Sequence, residues 1–119
     1  MIVISIVIIL AVIVMPAYQR TVVVARESVL KDDLFQMRKM LDQYAADKGE
    51  LPQSLEEIVT AGYLREIPVD PMTGKNEWVV CSLYESQDSG KCGGRENVFD
   101  VRSTSDERAL NGKDKYSDW

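Results

Sequence analysis

Histidine is absent from this chain, and cysteine occurs only twice. The first absence removes the commonest general base and the commonest transition-metal ligand. Two cysteines without a histidine leave a zinc site well short of its usual four ligands. Positive charge is also in deficit, with 14 Lys and Arg against 19 Asp and Glu, a formal net charge of -5 and a pI near 4.7. That balance suits nucleic acid poorly, because affinity there comes mainly from neutralised phosphates. No serine, cysteine or carboxylate pair falls in a recognisable catalytic motif, so an enzyme is not expected. The chain has 119 residues, room for one domain.

Charge is missing altogether from the opening stretch, "MIVISIVIILAVIVM", whose only polar side chain is Ser5. A spanning helix needs about 20 apolar residues to cross a ~30 Å hydrocarbon core. Residues 1–18 fall slightly short of that. A secretory signal would carry a basic start and a small-residue cleavage site. No Lys or Arg precedes the run, and "VMPAYQR" is not such a site. A buried core helix would need a larger domain around it, since this segment is apolar on every side. The reading is therefore a membrane helix over residues 1–18, whose first turn or two is expected to precede residue 1. Pro16 removes one backbone hydrogen bond and clashes one turn back. It is expected to break the helix, as an end or as a flexible joint within a longer one.

Helical periodicity resumes at once. Leu30, Leu34, Met37, Leu41 and Tyr44 are spaced as one apolar stripe. Lys31, Asp32, Asp33, Arg38, Lys39 and Asp42 populate the remaining surface. The pair Lys48 and Gly49 reads as the stop, a cation in the last turn and then a glycine able to take the left-handed cap. An amphipathic helix over residues 19–48 thus continues the apolar segment, with the stripe as core. "TVVVA" suits either lipid or a neighbouring copy.

Residues 49–119 read as a globular head. Ser54 and Glu57 have capping-box spacing ahead of Leu55, Ile58 and Val59, and Gly62 closes that short helix. "REIPVDPMTGKNE" is turn-rich through Pro68, Pro71 and Gly74. "EWVVCSLYE" and "NVFDVRST" read as strands, the second with Val98, Asp100 and Arg102 alternating against Phe99 and Val101. "SQDSGKCGGRE" is a loop, and "SDERALNGKDKYSDW" a polar, irregular tail. The fold class is α+β, a long N-terminal helix on a small antiparallel sheet. Cys81 and Cys92 enclose ten residues, spacing that suits a disulfide between hairpin strands. With no C-x-x-C, a redox role is the weaker alternative. A disulfide would place the head in an oxidising compartment. Arg20, Arg26 and Lys31 after the span point the other way, since such charges usually mark the cytoplasmic side. A basic segment upstream of residue 1 would reconcile the two.

The opening "MIVISIVIILAVIVMPAYQR" resembles the N-terminal helix of the type IV pilin superfamily. Mature members begin F-T-L-I-E-L and continue into an apolar run ending in proline, matched here by Met1 and Pro16. The resemblance implies that six mature residues precede residue 1, among them a glutamate. It also implies a short basic leader removed by prepilin peptidase, which N-methylates the new first residue. "LPQSLEEIVTAGYLREIPVDPMTGKNEWVV" and "VFDVRSTSDERALNGKDKYSDW" resemble the G-type major pseudopilin of type II secretion systems, with Met72 where tryptophan is usual. The cysteine pair departs from that group and keeps a pilin of motility, adhesion or DNA uptake as the alternative.

By this resemblance the chain is a structural subunit. It is anchored in the bacterial inner membrane with its head in the periplasm, and it polymerises with itself and with minor pseudopilins. An inner-membrane platform protein and an assembly ATPase would drive the filament, which moves folded exoproteins through an outer-membrane secretin. The family also implies a calcium site in the C-terminal loop, residues 103–118. Candidate oxygen donors are Ser103, Thr104, Ser105, Asp106, Asn111, Asp114 and Asp118, with Asp106 first. A membrane-tethered, calcium-responsive binding module is the reading from another class.

Overall fold

In the computed structural model, residues 1–82, 92 and 97–119 are described. One helix, α1, runs from Ile2 to Lys48. Ile and Val fill its first third, and a helix satisfies their backbone groups within the segment, as a bilayer demands. It continues through Pro16 without interruption, which corrects the helix end expected there as one alternative; the other, a position within one longer helix, is where Pro16 lies. The proline costs one hydrogen bond, to the Val12 carbonyl, while its fixed φ is itself helical. Intact turns on either side hold the chain in line.

The stripe expected to be core is core. Leu30, Leu34, Met37, Leu41 and Tyr44 are all buried, whereas Phe35, one residue off the stripe, is 66% exposed. Gly49 ends the helix at φ 75°, its N–H donating to the Ala45 carbonyl at 2.9 Å. A left-handed residue there favours glycine.

The second helix, α2, spans Leu55–Thr60 and buries Leu55 and Ile58. Its start does not close as the expected capping box. Ser54 occupies the cap position, but its side chain makes no cap hydrogen bond. Glu57 instead accepts from the Gln53 N–H at 2.5 Å and from the Tyr44 hydroxyl at 2.8 Å. These two donors hold its carboxyl below the ordinary range, the backbone one more strongly. Gly62, at φ 88°, follows and donates to the Val59 carbonyl.

Strands β1 (Trp78–Ser82) and β2 (Val98–Ser103) form a two-stranded antiparallel sheet. Pairing runs from Trp78 opposite Ser103 to Cys81 opposite Asp100, and then slips so that Ser82 faces Val98. Phe99 is the extra residue of this bulge. A bulge shifts the pleat by one, so Val98, Val101 and Ser103 are buried while Phe99 is 40% exposed. The strict alternation expected for β2 is corrected accordingly. Residues 83–85 of the expected first strand, and the expected loop at 86–96 apart from Cys92, lie outside the described residues.

Cys81 and Cys92 form a disulfide with their Cα atoms 4.7 Å apart. A closed loop of this length stabilises the fold by about 2.5–3 kcal/mol in the loop-entropy account.

The tail is not irregular throughout. It folds back through an Arg108–Lys115 bridge and a 3-10 turn at Tyr116–Asp118, burying Ala109 and Tyr116 in the core made by α1, α2 and β2. The sequence hides this because two apolar side chains among charges show no period.

Asp70 is fully buried in the turn after Pro68. Its carboxylate accepts from the Met72 N–H at 2.8 Å and from the Ser103 hydroxyl at 2.5 Å. Gly74, at φ 71°, donates to the Asp70 carbonyl and completes the turn. Asp33 on α1 lies within the field of Asp70. Burial first, then the charges of Asp32 and Asp70, push its carboxyl above the ordinary 3.8. Folding therefore disfavours the ionised form. Asp33 contributes fully below pH 3.8, and that contribution is lost as pH rises through the higher folded value. Asp33→Asn is expected to raise the urea midpoint at pH 7 and to leave it unchanged near pH 3. Equal midpoints at pH 7 would remove the cost of ionising Asp33, set by its burial first and then by Asp32 and Asp70.

Candidate functional site

Three features of the chain are available for function. The first is the leading segment. Every residue from 1 to 21 is exposed, and the segment is long and apolar enough to cross a membrane. Ile4, Ile9, Val12 and Met15 each expose more than half of their surface. Apolar surface on this scale marks a lipid or protein contact. Tyr18 follows, 68% exposed, then Arg20. An aromatic ring and a cation are usual at the water interface.

The second feature is the seam where the tail meets α1. Glu27 accepts from the Leu110 N–H and from the Tyr116 hydroxyl, both at 2.8 Å. Burial, then that hydrogen bond, pushes the Tyr116 phenol up to about 12. Arg38 donates from Nε to the Asp100 carboxylate at 2.6 Å and from Nη2 to the Val101 carbonyl at 3.1 Å, and also to the Trp119 carbonyl oxygen. The Lys31 ammonium stands 4.7 Å from the Trp119 ring centroid. Arg38 is thus turned onto the head. Lys39 and Asp42 remain on the outer surface of the helix. One guanidinium ties α1, β2 and the end of the tail. Partly solvated, its ion pair with Asp100 contributes about 0–1 kcal/mol. Phe35, Leu34, Lys31, Arg38 and Trp119 border an apolar groove at this seam.

The third feature is the C-terminal loop, where the structure divides the expected calcium donors. Ser103, Asp106 and Asp118 line one cavity of about 420 Å³, together with Ser117 and Arg102. The Ser117 hydroxyl donates to Asp106 Oδ1 at 3.0 Å. Asn111 and Asp114 are not part of that lining. The Asn111 amide donates to Asp114 Oδ2 at 2.9 Å, and its carbonyl accepts from the Lys113 and Asp114 N–H groups. Those bonds brace a tight turn ending at Gly112–Lys113. Ser105 is buried, its N–H donating to Ser103 Oγ, and Thr104 is exposed. Among the described residues no three Asp, Glu, His or Cys side chains gather closely enough to hold a metal. The donors at the cavity are all oxygens, the type a hard cation takes. They supply two carboxylates, and the Arg102 guanidinium faces the same space.

Sequence reasoning missed Glu27, Asp70 and Arg38 as anchors. Each is a charged residue whose partner lies 33 to 89 positions away, a separation no local pattern reports. Comparison with protein-family models, with curated proteins and with solved structures finds no match to this chain.

Proposed function

We propose that this chain is the repeating subunit of a helical filament, held in a membrane by residues 1–18 before assembly. The observation that carries the reading is α1 itself. Its first third is apolar all round and uncovered, and the same unbroken helix supplies the core of the head. A segment of that kind is stable in lipid. Bundled against copies of itself it exchanges lipid contacts for equally apolar ones, so extraction into a filament needs only modest driving energy. The outward groove bordered by Phe35 and Trp119 offers heads a further contact in the bundle.

The resemblance of the head to G-type major pseudopilins favours a periplasmic pseudopilus of type II secretion. Minor pseudopilins, a platform protein, an assembly ATPase and prepilin peptidase would then be its partners, and folded exoproteins its cargo. The Cys81–Cys92 disulfide supports a head in an oxidising compartment. Deleting the gene is expected to stop release of folded exoproteins and to leave surface motility intact. Lost motility with normal release would transfer the chain to the pilins.

Calcium belongs to the same proposal. Asp106 and Asp118 would hold it, with the Ser117 and Ser103 hydroxyls beside them. The ion would supply charge neutralisation and cross-link the tail to the end of β2. Adding 1 mM calcium is expected to raise the melting midpoint of the head, by about 2.7 kcal/mol of stability at a hundredfold excess over the dissociation constant. Asp106→Ala is expected to abolish that rise. A midpoint indifferent to calcium in the unaltered chain would remove the ion from the account.

A further inference from the structure

The rim of the head nearest the apolar segment carries charge of the opposite sign to the rest of the molecule. Val22 and Val23 are the first residues of α1 that the head partly covers. They lie four and five residues beyond Tyr18, so the rim stands ~6–8 Å along the helix axis from the expected water interface. The headgroup region of each leaflet is itself ~5–8 Å deep. The Glu27 carboxylate, a further turn along α1 and ~13 Å from Tyr18, holds the tail by the Leu110 N–H and the Tyr116 hydroxyl. The turn from Leu110 to Lys115 is therefore pinned beside the membrane end of the head.

Five cations belong to this rim. Arg20 and Arg26 are exposed on the stalk, and Arg108, Lys113 and Lys115 are exposed on the pinned turn. Three carboxylates accompany them, those of Glu27, Glu107 and Asp114. Glu27 and Asp114 are already engaged by hydrogen bonds. Elsewhere the chain carries 9 cations against 16 carboxylates. Leu110 adds an apolar side chain, 44% exposed, at the start of the turn. Cations flanking one exposed aliphatic side chain, at the membrane end of the head, complement an anionic lipid surface. Among the described residues, neither the core of the head nor the tail's hydrogen bonds use these five cationic side chains.

We propose that the turn at residues 108–115, with Arg20 and Arg26, docks the head of the membrane-held monomer onto anionic phospholipid headgroups. The contact fixes the tilt of the head before assembly and is given up when the subunit leaves the bilayer. It rests on the membrane reading of residues 1–18.

The full chain is placed in nanodiscs too small for a filament, made either of phosphatidylcholine alone or with 30% phosphatidylglycerol. Hydrogen exchange of the amides at 108–115 is then measured at 150 mM salt. Those amides are expected to exchange roughly tenfold more slowly in the anionic discs. Amides of α2 are expected to be equal in both. A variant carrying Arg108→Gln, Lys113→Gln and Lys115→Gln should show no difference between discs. High salt should erase the difference in the unaltered chain. Equal exchange in both discs would overturn the docking proposal while leaving the anchor intact. Failure of the chain to enter either disc would overturn the membrane reading, and docking with it.

Discussion

Leu34→Ala is expected to remove about 2–5 kcal/mol from the stability of the head, the range for emptying a closed leucine site. Leu34 is 2% exposed, in the middle of a stripe that meets α2, β2 and the returning tail. A domain of this size has roughly 5–15 kcal/mol in total, so the loss is a large share. The cavity cannot collapse easily, because one wall is the continuous helix α1 and another is tied by a disulfide. Phe35→Ala provides the contrast. Phe35 is larger but 66% exposed, and its removal is expected to change stability by less than about 0.5 kcal/mol. Urea unfolding of both variants in detergent measures the difference. Similar midpoints for the two would mean that the stripe is not the core.

Ile9→Lys is the second large effect. Ile9 lies at the middle of residues 1–18 and is 60% exposed. A lysine at the centre of a spanning helix costs about 2.5–3.5 kcal/mol on insertion scales, roughly a hundredfold in partition. The same ammonium would be buried without a partner in a bundle of apolar helices, which is also costly. The variant is therefore expected to be lost from the membrane pellet after carbonate extraction and to fail in assembly. Ile9→Leu should behave as the unaltered chain. If Ile9→Lys partitions normally, residues 1–18 do not lie across a bilayer.

The parts of the fold legible in the sequence are those with local periodicity. The spacing of Leu30, Leu34, Met37, Leu41 and Tyr44 reports a buried helix face directly, because 3.6 residues per turn leaves few alternatives. Lys48 and Gly49 mark the stop through backbone sterics alone. Both strands are legible from their β-branched and aromatic residues.

What escapes is set by contacts distant in sequence. Pro16 reads as a break from its missing N–H, yet intact turns on both sides carry the helix through. Glu57 reads as a capping-box partner, but the Tyr44 hydroxyl from another helix shares its carboxyl. Phe99 reads as an inward residue until the bulge at Cys81 and Ser82 shifts the pleat. Ala109 and Tyr116 become core because Glu27, far upstream, gives the tail a place to dock. The calcium donors show the same limit. Composition gathers seven candidates within 103–118, and only the folded turn reveals that Asn111 and Asp114 bond one another instead of facing Asp106 and Asp118.

The central claim is that one apolar helix segment serves equally in a bilayer and in a bundle of its own copies. Detergent removal from the purified full chain, followed by electron microscopy, addresses it directly. The account predicts long helical filaments of uniform width, with heads outside and residues 1–18 within. Solitary, freely soluble chains in detergent-free buffer, their apolar segment still facing water, would contradict it.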